Sequence, residues 1–267
     1  MTRIVVFTDV HFDDGLRHNG IDPVERLETG LAHAAKHVRD IDYIVITGDL
    51  AHRGEIPSYA KLKHSLQSVT HPLVLMIGNH DNRENFLEIF THTATDENGH
   101  IQQTIDTDDH RLIFLDTLDG PPYDYPLSHR GMLCEKRLNW LRTQLGSAGE
   151  RECIIFMHHH PHPVGFKAMD MIRLVNGEEF YSVLEEFNNV SHISCGHVHR
   201  TISGSHRGIP FSVFKSTVGQ MPMKFDLLDF HMETTTEPAA YGILDIYKGG
   251  VTVHTEDFGL SDLDTYS

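Results

Sequence analysis

The sequence predicts an α/β fold in which a parallel or mixed sheet is covered by helices. Two observations predict it. Apolar runs at 4–8, 43–47 and 73–77 alternate with segments of helical spacing at 24–39 and 58–69, the rhythm of βαβ units. Five short polar motifs then end apolar runs that read as buried strands: Asp9-Val10-His11, Gly48-Asp49, Gly78-Asn79-His80-Asp81, His158-His159-His160 and Gly196-His197-Val198-His199. Open α/β sheets gather their sites along that carboxyl edge.

The elements follow in order. The helix at 24–39 carries Val24, Leu27, Leu31, Ala34, Ala35 and Val38 on one face. Pro57 suits the first turn of the helix at 58–69. The second half continues with a strand at 112–116 and a helix at 135–145 carrying Leu138, Trp140, Leu141 and Leu145. A strand at 153–157, a helix around 178–188 and a strand at 192–195 come next. The remainder reads as all-β, with strands at 210–214, 240–247 and 251–256, the last two joined at Lys248-Gly249-Gly250. Three stretches read as loops or cap elements: 91–110 is polar, 119–131 is rich in Pro and Tyr, and 215–238 is Met-rich and then Thr-rich. No repeat or linker divides the chain. Because the motifs run from residue 9 to residue 199, one domain over 1–267 is expected to hold them all, with 119–131 and 215–238 as cap or oligomerisation elements.

Composition excludes several classes. With 22 Lys and Arg against 38 Asp and Glu, the formal charge is −16, which repels the backbone of a long nucleic acid. A small phosphate ester stays compatible if bound cations supply the positive charge. No apolar run is long enough to span a membrane. The start, Met1-Thr2-Arg3 and then Ile4-Val5-Val6-Phe7, lacks the pattern of a signal peptide, so a cytoplasmic location is the expectation. Three cysteines, none at CxxC spacing, argue against a disulfide scaffold and a cysteine zinc site.

The motifs supply ligand-type donors without thiolates, a set that suits Mn, Fe, Co or Zn. In an extended segment, residues i and i+2 point the same way. Asp9 and His11 then converge, and so do His197 and His199 if the backbone there stays extended. Asp49 and Asn79 each follow a glycine, which permits a sharp turn and close approach of backbone to a ligand. Two divalent metals in such a site need a bridging carboxylate, and Asp49 is the natural bridge because Asp9 pairs with His11. In the His158–His160 triplet, His158 directly follows the strand. His159 is expected to face the other way, and His160 to look toward the site.

These motifs, in this order, make the chain resemble the calcineurin-like metallophosphoesterase superfamily, and within it the bacterial class III cyclic-nucleotide phosphodiesterases and related glycerophosphodiesterases. The resemblance implies a four-layer α/β/β/α sandwich. It implies one metal held by Asp9, His11, Asp49 and His199, and a second held by Asp49, Asn79, His158 and His197. It further implies that a hydroxide bridging the metals attacks phosphorus in a small phosphodiester, a 3′,5′-cyclic nucleotide such as cAMP or a glycerophosphodiester. His80, beside Asn79, matches the family's catalytic histidine. A homo-oligomer, dimer or higher, also follows from the likeness. Two positions depart from the pattern. His52 stands where many relatives carry an aspartate that supports the catalytic histidine, and Gly219 stands where related glycerophosphodiesterases carry a substrate-facing histidine. His52 and His160 are the candidate substrate contacts. Other readings are a phosphomonoesterase or protein phosphatase, for which Arg53 and Arg83 lie near two motifs, and a non-catalytic scaffold.

Overall fold

The computed structural model describes residues 1–13, 20–123, 129–226, 234–235 and 237–259. Residues 124–128 and most of 227–236, which belong to the two stretches expected to form cap elements, lie outside that set.

Two sheets form the centre. The first has five strands in the order β11-β10-β1-β2-β3. Here β1 (Thr2–Phe7), β2 (Tyr43–Ile46) and β3 (Leu73–Leu75) run parallel, and β10 (Ala239–Tyr247) is antiparallel to β1 and forms a hairpin with β11 (Gly250–Phe258). The second has six strands in the order β4-β5-β6-β7-β9-β8. Its parallel centre is β5 (His110–Leu115), β6 (Glu152–Met157), β7 (Val190–Cys195) and β9 (Ile209–Val213). Its antiparallel edges are β4 (Gln103–Asp106) and β8 (Ile202–His206).

Alternation along the strands decides what each face meets. On β1, Ile4 and Val6 join Val45, Val74, Leu112, Phe114, Ile154 and Phe156 in a core between the sheets. Val5 and Phe7 instead pack with Leu27, Leu31, Leu62 and Phe86 from α1 (Pro23–His37), α2 (Ile56–Ser65) and α3 (Arg83–Ile89). On the far side, Ile113, Cys153, Ile155 and Ile193 pack with Leu141, Leu145, Phe180 and Leu184 of α4 (Glu135–Gly146) and α6 (Gly177–Glu185). Three cores separate four layers, so the chain folds as the expected α/β/β/α sandwich. Both sheets are covered on both faces, which is why their strands read as unbroken apolar runs.

Local signals explain the helix ends. The Asp22 side chain accepts a hydrogen bond from Val24 N at 3.0 Å, Pro23 occupies the first turn, and Lys36 and His37 sit in the last turn of α1. Pro57 lies in the first turn of α2 as its position suggests. The expected strands and helices recur within a few residues. Four elements go beyond the expectation: the short helices α3 and α5 (Lys167–Met171) and the edge strands β4 and β8. β4 falls inside 91–110, read as loop because Gln-Thr-Ile-Asp is only half-buried and shows little alternation.

His192 lies on β7 facing the inter-sheet layer, buried, with Nε2 2.9 Å from Ser212 Oγ on β9. Burial pushes this imidazole down to about 4 from 6.5. A depressed histidine stays neutral in the fold while the unfolded chain takes up a proton, so its contribution is intact above pH 6.5 and falls away toward pH 4. Between pH 7 and pH 5 this residue removes about 2 kcal/mol of stability. Urea unfolding at the two pH values should therefore show a shallower acid loss in His192→Gln than in wild type. Equal losses would refute this source of acid sensitivity.

Candidate metal centre

The motif residues meet at one edge, where β1, β2, β3, β6 and β7 all end. Asp9, His11, Asp49 and His199 each bring one donor atom within 4.8 Å of the others, and His158, His159 and His197 do the same beside them. All seven residues expected to be metal ligands are buried, none more than 7% exposed.

The backbone reaches this arrangement by a route different from the expected one. Asp9, His11, Asp49, His197 and His199 are not extended but left-handed, with φ between 46° and 70°. Asp and His tolerate this region better than most residues, yet each such position costs of order 1–3 kcal/mol and persists only where surrounding structure enforces it. The left-handed turns still bring Asp9 and His11 together. They send His197 and His199 apart, His197 toward His158 and His199 toward Asp9 and His11, so the expected convergence of that pair does not occur. Glycine is required at Gly48, with φ of 109°, and at Gly78, where an added Cβ would overlap Asp49 Oδ1 and press on its backbone nitrogen.

Hydrogen bonds tie the loops together. Asp9 N donates to Gly48 O at 3.1 Å and His11 N to Asp49 O at 2.9 Å. His80 N donates to Asp49 Oδ1 at 2.9 Å, and Ser216 Oγ donates to Asp9 O at 2.7 Å. Asp81, the last residue of the third motif, is a hub. Its carboxylate accepts from Gly78 N, Leu50 N, Ala51 N and Tyr59 Oη at 2.8–3.1 Å, which clamps the loop after β2 to the loop after β3. Burial and the neighbouring Asp49 push this carboxyl up to about 6 against the pull of the backbone donors.

The donor chemistry fits a cation. Asp9 Oδ2 accepts from Thr8 Oγ1 and His197 N, while Oδ1 is buried with no hydrogen-bond donor and lies 3.2 Å from His199 Nε2. His197 Nε2 is likewise buried without a hydrogen-bond partner. His158 Nδ1 donates to Thr47 O at 2.9 Å and His199 Nδ1 to Gly219 O at 2.8 Å. Both rings therefore present Nε2 inward, the nitrogen that metal-bound histidines offer once its proton is lost. His158 Nε2 then faces two acceptor oxygens, Asn79 Oδ1 at 3.2 Å and Asp49 Oδ1 at 3.3 Å. Burial pulls the His158 imidazole down, but Asp49 and Asp9 outweigh it and hold it up at about 9. His199 is raised by Asp9 against burial in the same way. Such retention of a proton marks a place where the site demands positive charge, and a metal ion that binds there displaces it.

Around this buried floor lies a half-buried rim. His80 Nδ1 donates to the backbone carbonyl of His52 at 2.7 Å. The acceptor that orients the His80 ring is thus a main-chain carbonyl. The His52 ring stacks on His80 at 5.2 Å and 21°, with Nδ1 3.4 Å from His11 Nδ1. His129, from the stretch 119–131, was not foreseen. It meets Asn79 Nδ2 at 3.0 Å, and its ring lies 5.2 Å from that of His80.

Two members of the triplet differ from expectation. His159 does not face away: its ring lies 4.9 Å from His158 and 4.7 Å from His197, with its nitrogens at Thr117 Oγ1 and His129 O. His160 is fully buried, Nε2 3.4 Å from Asp170 Oδ1 and its ring 5.8 Å from His197. That position underlies the ligands and offers substrate no surface. Arg83 is also committed elsewhere, buried in a bidentate pair with Asp116 at 2.8 and 3.0 Å.

Comparisons with known proteins agree with this geometry. A family model described as calcineurin-like phosphoesterase matches residues 2–201. A probable cyclic nucleotide phosphodiesterase of Rhodopseudomonas palustris is 36% identical over 259 residues, covering 96% of this chain and 92% of that one. The 3′,5′-cyclic adenosine monophosphate phosphodiesterase CpdA of Pseudomonas aeruginosa is 31% identical over 74% of this chain and 69% of its own. The glycerophosphodiester phosphodiesterase GpdQ of Enterobacter lignolyticus is 31% identical over 68% of this chain and 64% of its own. Among solved structures, a dimetal phosphatase from Danio rerio shares the fold with a TM-score of 0.72 over 96% of both chains, at 15% identity. With the family model covering most of its length and the five motifs of both sheets meeting at one edge of the sandwich, the chain belongs to the calcineurin-like phosphoesterase family.

Proposed function

We propose that this protein is a dinuclear-metal phosphodiesterase acting on small diesters, 3′,5′-cyclic nucleotides such as cAMP or glycerophosphodiesters. The observation that carries the reading is the Asp49 carboxylate. Its Oδ1 lies 3.3 Å from His158 Nε2 and its Oδ2 lies 3.7 Å from His11 Nε2, so its two oxygens address two donor sets. Asp9, His11, Asp49 and His199 would hold one divalent ion, and Asp49, Asn79, His158 and His197 the other, with Mn, Fe, Co or Zn suited to these donors. Bound there, the pair would lower the pKa of water toward neutrality and offset charge gathering at phosphorus.

The chain's own residues do the rest. The His52 carbonyl holds the Nδ1 proton of His80, which orients that ring on the rim. Nε2 is then the nitrogen left for substrate, and with a second proton on the ring it would donate to a phosphoryl oxygen or to the leaving oxygen. The His52 ring, stacked beside it, would line the substrate's path. The −16 charge keeps long nucleic acid away. Relatives bearing phosphodiesterase names support diester hydrolysis, and the 36% identical one favours cyclic nucleotides. A phosphomonoesterase or protein phosphatase would use the same centre, but Arg83, one of the two arginines that suggested it, is taken by Asp116. A non-catalytic scaffold has no need of the buried, cation-seeking donors.

Among the described residues no helix is long and apolar enough to cross a membrane, and the three cysteines are free, which supports a reducing, cytoplasmic setting. The exposed Met171, Met223 and Phe225 would provide contact area for a homo-oligomer, dimer or higher.

Paired variants test the roles. Asp49→Ala should lose most bound metal and activity, whereas His80→Ala should keep its metal and turn over roughly 10²–10⁴-fold more slowly. Full metal content with full turnover in Asp49→Ala would contradict the bridge, and unchanged turnover in His80→Ala would contradict its catalytic role. With added Mn²⁺, bis-aryl phosphate should be hydrolysed faster than aryl monophosphate, and a panel of cyclic nucleotides, glycerophosphodiesters and phosphonate monoesters should rank the natural substrates. Preference for the monoester would move the protein to the phosphomonoesterases.

A further inference from the structure

A carboxamide can turn either end toward a cation, and only its oxygen can bind one. Asn79 must therefore be held one way round. Its Oδ1 lies 3.2 Å from His158 Nε2, on the donor side, and its Nδ2 lies 3.0 Å from His129 Nδ1. For that amide nitrogen to donate, His129 Nδ1 must accept, which places the proton of the neutral ring on Nε2. His129 is itself anchored. Its carbonyl accepts from His159 Nε2 at 3.2 Å, and His159 Nδ1 meets Thr117 Oγ1 at 2.8 Å, just beyond the end of β5. All the links in this relay except His129 are almost fully buried.

We propose that His129 is a positioning residue that fixes the Asn79 carboxamide with its oxygen toward the second ion, and so makes the affinity of that site depend on a side chain outside the donor set. The proposal rests on the reading of Asn79 as a metal ligand. Without the acceptor, a buried amide N–H loses its partner, and the flipped amide, with nitrogen where the oxygen should be, becomes competitive. Residues that orient a metal ligand in this manner are worth about 10–100-fold in metal affinity.

The test is a calorimetric Mn²⁺ titration of the full-length protein and of His129→Ala, His129→Asn and His129→Gln, with circular dichroism to confirm folding. An asparagine places Oδ1 near the position of Nδ1, whereas a glutamine reaches toward the position of Nε2. The expected result is 10–100-fold weaker binding of one Mn²⁺ equivalent in the Ala and Gln variants, recovery in His129→Asn, and an unchanged other equivalent. Wild-type affinity in His129→Ala, or recovery by Gln and not by Asn, would overturn the proposal. If His129→Ala does not fold, the Asn and Gln pair decides alone. Failure of the underlying reading looks different: the wild type would not take up two equivalents, or Asp49→Ala would keep both.

Discussion

The arrangement of this protein depends on one carboxylate. Asp49 sits at the end of β2 in a left-handed conformation. Its carbonyl receives His11 N from the loop after β1, its Oδ1 receives His80 N from the loop after β3, and the same oxygen faces His158 at the end of β6 in the other sheet. Contacts from both sheets therefore converge on a single residue that is 1% exposed. The sandwich supplies the rigidity this demands. Each sheet is packed on both faces, so the strand ends cannot drift apart to relieve the strained turns.

That convergence creates an electrostatic problem that the protein alone does not solve. Two buried aspartates face a crowd of inward-turned imidazole nitrogens, and buried acceptors left without donors are costly. The imidazoles respond in opposite directions. His158 and His199 are raised by Asp49 and Asp9 despite burial, whereas His11 and His197 are driven down, first by burial and then by neighbouring histidines. Protonation satisfies only part of the set. Divalent ions would satisfy all of it, and their binding would then contribute directly to the stability of the folded state.

Much of this was legible in the sequence because it rests on period and position. Two-sided burial writes itself as Ile4-Val5-Val6-Phe7, and the ligands follow such runs directly. The edge strand β4 was not legible, since a half-buried strand of four residues carries little pattern. Nor were the left-handed backbones at His197 and His199, where an extended reading sent both side chains to one place. Asp81 was masked by its habit of occurring in turns, although its place at the end of Gly78-Asn79-His80-Asp81 could have suggested a clamp. His129 carried no signal at all. It is 50 residues from Asn79 in sequence, and only the fold brings the two together.

On this reading Asp49 joins two ions into one centre. Electron paramagnetic resonance of the protein loaded with two equivalents of Mn²⁺ reads that bridge. A bridged pair predicts an exchange-coupled spectrum that collapses to isolated-ion signals in Asp49→Ala. Two uncoupled Mn²⁺ signals in the wild-type protein would contradict a bridging Asp49.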